Sequence, residues 1–166
     1  MQPRIGRAVT AKVFDRVTGP TGINSGLAAL SQSERALAGL LDTTQVRTQN
    51  VALDLVERGS TVKYPAVHLY CEKIANTLAE KFRTFSGNVQ MAIEIRHSHD
   101  RLDGLQDRLE LYADAMAQVL HTNRGDWGDG MFYAGAYELS FGAVKHGGKN
   151  FLQVAKITFQ IGVSKS

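Results

Sequence analysis

Val89-Gln90-Met91-Ala92-Ile93-Glu94-Ile95-Arg96 places an apolar side chain at every second position. Successive residues of a strand point to opposite faces, so this run predicts a half-buried strand. Ser86-Gly87-Asn88 breaks the chain just before it. Beyond it, Leu102, Leu105, Leu109, Tyr112, Met116 and Val119 step by three and four, the spacing of one apolar stripe on a long helix. Asp100 is placed to cap that helix and Asp103 to sit at the positive end of its dipole. Gly125 follows the last turn, where a left-handed residue is expected. A strand and a helix that each carry one apolar face call for a layered arrangement of both.

On the C-terminal side, Tyr133, Tyr137, Leu139 and Phe141 share parity on one further strand, and Ala155, Ile157, Phe159, Ile161 and Val163 on another. Lys145-His146-Gly147-Gly148-Lys149-Asn150 between them is a hairpin signal, because glycine tolerates the positive φ angles of tight turns. On the N-terminal side, Thr61 to Cys71 reads as a strand, with Pro65 arguing for an edge or a strand start. Ile74, Leu78 and Phe82, four apart, predict a helix over 72–83. Ile5, Val9, Val13 and Val17 predict another over 4–17, stopped by Gly19-Pro20-Thr21-Gly22. A second helix runs from Ser25 to about Leu41, and residues 42–60 read as a connecting arm. The expected fold is α+β: a single four-stranded, mostly antiparallel sheet with helices on one face. It is a β-α-β-α-β-β core over 61–166 preceded by N-terminal helices and an arm over 1–60, one domain overall.

With 166 residues, 43% hydrophobic and 21% charged, the chain can bury one ordinary core and is not built for disorder. No apolar run approaches the roughly 18–20 residues of a membrane span, and the first residues carry no continuous apolar segment of a secretory signal. A single cysteine, Cys71, excludes an intramolecular disulfide and fits a reducing compartment. The net charge of +3 is mild, and its scattered cations lack the clustering of a nucleic-acid face.

Several constellations suggest chemistry and then fall short of it. Gly142 to Lys149 resembles a phosphate loop, but Ala143 occupies the first glycine position, Asn150 replaces Ser/Thr and a strand follows. His97 and His99 share a strand face near Asp100 and Asp103, a donor set that a divalent metal would accept. No third ligand is evident and Asp100 already has a capping role, so no metal or cofactor is expected. Asn123 to Gly130 resembles a calcium loop, yet its carboxylates at Asp126 and Asp129 are three apart and the closing glutamate is missing. The Arg124-Gly125-Asp126 tripeptide is of a kind that arises often by chance. A rigid glycine-rich turn is the better reading, with Trp127 free to pack locally or anchor a partner. Cys71 lacks a histidine on its own strand face, and no Gly-x-Ser-x-Gly motif occurs. Nothing specific therefore supports an enzyme.

The run Tyr64-Pro65-Ala66-Val67-His68-Leu69-Tyr70, followed by helix, alternating strand, long amphipathic helix and C-terminal hairpin, resembles the tail terminator and tail-completion proteins of tailed phages. The resemblance spans about 61–163. It implies a virion structural protein, assembled in the host cytoplasm, that caps the tail tube as a six-fold ring, stops polymerisation and forms the head-joining surface. The partners so implied are further copies of the chain, the tail tube protein, a head–tail connector or neck protein, and DNA passing through the lumen; no membrane is involved. A heterologous interface that closes on itself makes such a ring. The interface candidates are Tyr64, Pro65, His68 and Tyr70 on an edge strand, Trp127 in its turn, and Lys145, His146 and Lys149 at the hairpin tip. The alternatives are a tail-completion or neck protein of the same fold, or a small nucleic-acid-binding domain suggested by the sequence pI of about 9.1.

Overall fold

The computed structural model describes residues 4–52, 62–147 and 150–166. Helix α1 (Ile5–Thr18) turns Val9, Val13 and Val17 inward, as their spacing requires, and gives way to extended backbone at Gly19. The predicted second helix is broken in two, α2 (Ile23–Ala28) and α3 (Gln32–Arg35). The break falls at Ser31, whose hydroxyl accepts from the Glu34 amide while Glu34 returns a carboxylate to the Ser31 amide. That capping box starts a new helix rather than continuing the old one.

A 3-10 turn (Thr43–Gln45) leads to β1 (Val46–Arg47), followed by β2 (Ala66–Asn76) and β3 (Phe85–His99). Helix α4 (Leu105–Thr122), β4 (Gly125–Gly128), β5 (Met131–Tyr133), β6 (Tyr137–Phe141), β7 (Lys145–Gly147) and β8 (Asn150–Lys165) complete the order. The described strands form one eight-stranded mixed sheet, not the four-stranded sheet expected. Its order is β1-β2-β3-β8-β5-β4; β1 is parallel to β2 and the remaining pairs are antiparallel. β8 pairs with β3 along one side, while β7, β6 and β5 share its other side in succession.

Three local facts account for much of the difference. The helix predicted over 72–83 is instead the end of β2 and a loop, because β2 keeps pairing with β3 as far as Asn76 opposite Gly87. Asn76 then captures the amides of Leu78 and Ser86 with its side-chain oxygen, a local hydrogen bond that competes with helix formation. The strand expected over 133–141 is two, parted at Gly135, whose φ of +108° suits glycine. Gly125 to Tyr133 folds as the β4–β5 hairpin.

Helices α1, α2 and α4 share one core with the sheet. Val67, Leu69, Met91, Ile93, Ile95, Ala155, Ile157 and Ile161 from the sheet meet Val9, Val13, Leu27, Leu109 and Met116 in one core. Helix α4 begins at Leu105 with Gly104 before it and no side-chain cap, so Asp100 does not cap it and Leu102 lies exposed outside the stripe. No helix among the described residues is long and apolar enough to cross a membrane.

Candidate functional site

The even-numbered side chains of β3 leave the helical core and face the other side of the sheet, where they meet the partners that register assigns. Glu94 lies opposite His68 on β2 and Lys156 on β8, and Arg96 lies opposite Ala66 and Val154. The Tyr70 hydroxyl donates to Glu94 Oε2 at 2.6 Å, and Arg96 Nη2 lies 3.5 Å from Glu94 Oε1. Arg96 also donates to the Val51 carbonyl at 2.6 Å, and His68 Nδ1 bonds the Gln49 carbonyl oxygen at 3.0 Å. The segment after β1 is thus tied down over this face. Burial, together with the hydrogen bond to Glu94, pushes the Tyr70 phenol well above its usual range. Burial and the Arg96 charge lower His68. Arg96 is 3% exposed, yet its Nε and Nη1 have no partner among the described residues, where Glu94 alone balances its charge, and the cation is costly to keep there.

Further along the same face, Glu72 pairs with Lys156 and accepts from Gln90. The Lys156 bond, with Gln90 in support, holds the Glu72 carboxyl below the ordinary carboxylate range. Beyond this pair opens a groove of about 680 Å³, lined by Asn88, Gln90, Phe132, Tyr137, Glu138 and Gln160 among others. It lies where β8 loses a strand neighbour between its pairings with β6, which ends opposite Phe159, and β5, which starts opposite Gly162. Phe132 is 54% and Tyr137 44% exposed.

The residues singled out from the sequence are dispersed. His68 and Tyr70 are buried in the network just described, and Arg47 of β1 pairs beside His68, so β2 is covered at Val67 and His68 and is not an open edge there. Pro65 is buried and Tyr64 half-buried. Trp127 is buried: its indole donates to the Asn123 carbonyl at 2.7 Å, it packs 5.8 Å from the Tyr133 ring, and Arg16 lies over it at 4.2 Å. Lys145 and His146 are exposed on β7, with His146 edge-on to Phe151, and Lys149 lies outside the described residues.

His97 sits on the core side against Tyr112, where burial, with help from Arg108, lowers its pKa to about 4. Among the described residues both its ring nitrogens are without partners, as are Arg108 Nε and Gln153 Oε1. His99 contacts Asp100 at 3.5 Å and Asp103 is exposed. No group of three His, Cys, Asp or Glu among the described residues is arranged to hold a metal. Cys71 is half-buried, and burial raises its thiol pKa, which lowers its nucleophilicity near neutral pH.

What the sequence reading missed lies at the β2–β3 hairpin tip. Leu78 is 60% and Phe82 100% exposed, and both carry positive φ, 49° and 62°. The loop is nonetheless firmly held. Thr77 and Ala79 donate to the Ser86 carbonyl, Glu80 N donates to Ser86 Oγ, Thr84 N donates to the Lys165 carbonyl, and Arg83 pairs with Glu80. The turn formers Asn76 and Ser86-Gly87 bracket this loop in the sequence and were the available signal.

No protein-family model matches the chain, and neither does any curated protein.

Proposed function

We propose that the chain is a structural subunit of a phage tail that works through surfaces rather than a reaction, forming a ring at the head-proximal end of the tube as a terminator. The observation that carries the surface-based part is the hairpin tip. Leaving Phe82 wholly in water forgoes the roughly 1.5–3 kcal/mol its burial would contribute, and holding a non-glycine residue left-handed costs about 1–2 kcal/mol more. A rigid loop that bears both costs at two apolar residues is shaped for a partner, since strain of this kind persists where it serves contact. The outer side of β2 gives a matching sign. Beyond His68 it has no strand neighbour among the described residues, but a bulge between Cys71 and Lys73 interrupts it. Bulges and lysines at an edge discourage indiscriminate strand addition and leave contact to the tip.

The terminator role itself rests on the resemblance of Tyr64 to Tyr70, the alternating strand, the long helix and the C-terminal hairpin, less the helix over 72–83. A tail-completion or neck role uses the same surfaces. Electron microscopy of lysates from the encoding phage with this gene disrupted separates them. Filled heads beside overlong, unattached tubes are expected for a terminator, and normal-length tails that fail to join heads assign a completion role. Normal infectious particles overturn the proposal.

A further inference from the structure

The exposed tip and the open-face groove are two unpartnered features of one chain, and they are complementary. The tip offers Phe82 with Lys81 beside it; Lys81 has no ion pair among the described residues. The groove offers two exposed rings, Phe132 and Tyr137, over a floor of amides from Gln90 and Gln160. Its one charged lining residue is Glu138, an exposed carboxylate likewise without an ion pair. At about 680 Å³ it has room for a phenylalanine ring and its neighbours, and aromatic anchors seated in pockets dominate interface energies. We infer that a second copy of the chain occupies the groove, inserting its Phe82 between Phe132 and Tyr137 and bringing its Lys81 to Glu138.

The contact joins different surfaces of the two copies, so it is heterologous unless a two-fold axis makes it reciprocal; a closed ring uses it once per subunit. It specifies the interface by which the proposed ring would form, and to that extent rests on that reading. The tip is pre-organised by the hydrogen bonds that Asn76 Oδ1 and the Ser86 carbonyl accept and the Thr84 amide donates, so little ordering entropy opposes docking. An ion pair at the rim fixes which partner docks and how fast more than it adds affinity.

Sedimentation velocity of the purified full chain over a wide concentration range tests the contact. The expected result is reversible self-association that Phe82→Gly weakens on the order of thirtyfold. Glycine suits the left-handed position, so the same variant keeps or raises the melting temperature of the monomer. That gain separates lost contact from lost folding. Lys81→Glu and Glu138→Lys each weaken association, and the two together restore it. A wild-type protein that stays monomeric throughout overturns the contact, as does association that Phe82→Gly leaves unchanged. So does a double charge reversal no better than either single one. None of these outcomes touches the lysate micrographs, which decide the tail role independently.

Discussion

Acid should destabilise this protein through one buried histidine. His97 is 8% exposed, has no hydrogen-bond partner among the described residues for either ring nitrogen, and faces Tyr112, with Arg108 and His99 close enough to disfavour a second positive charge. Its pKa is about 4 in the folded chain, against an ordinary 6.5. A depressed folded pKa means that the unfolded chain binds the proton more readily. The stability His97 contributes is therefore complete above pH 6.5, falls as the pH drops below that, and is gone once the pH has passed 4. At about 1.4 kcal/mol per pH unit over that interval the loss is about 3 kcal/mol. His97→Phe keeps a ring against Tyr112 while removing both orphaned nitrogens, so it holds or gains stability at neutral pH. Urea unfolding at a series of pH values from 7.5 to 4 measures both curves. Wild type should fall away below the variant by about 3 kcal/mol across the window. Parallel curves would refute the reasoning, since other groups, His68 included, contribute equally to both.

Three further outcomes follow from the same geometry. Glu94→Leu strands the Arg96 guanidinium and should cost about 3–5 kcal/mol, most of it recovered in the double variant with Arg96→Met; a loss under about 1 kcal/mol, typical of a surface pair, contradicts a buried network. Gly87→Ala would bring a Cβ within 1.9 Å of the Ala75 carbonyl oxygen across the hairpin, and the urea midpoint should fall by the equivalent of about 1–3 kcal/mol. Trp127, the only tryptophan, is 7% exposed, so its emission should be blue-shifted and poorly quenched by iodide in the folded protein; solvent-like emission would place the β4–β5 hairpin wrongly.

Much of the candidate surface was hidden in a coincidence of spacing. Ile74, Leu78 and Phe82 fall four apart, as in a buried helical stripe, but here Ile74 belongs to a strand and the other two stand in a loop. Periodicity cannot tell an apolar residue meant for a core from one meant for a partner, because both look alike in sequence. Trp127 was open to either outcome from its glycine-rich turn, local packing or a partner's anchor, and Asn123, Arg16 and Tyr133 enclose the indole.

By itself the sequence determined those elements whose pattern is local and repeated. The helix at Val9, Val13 and Val17, the alternating strand from Val89 to Ile95, the stripe from Leu105 to Val119 and the odd-numbered face from Ala155 to Val163 all follow from a period set by backbone geometry. Only the tertiary structure decided how far β2 runs, how many short strands line β8, and that Tyr70, Glu94 and Arg96 meet. Those outcomes depend on register between segments distant in the chain, and a one-residue change of register would send every such side chain to the opposite face.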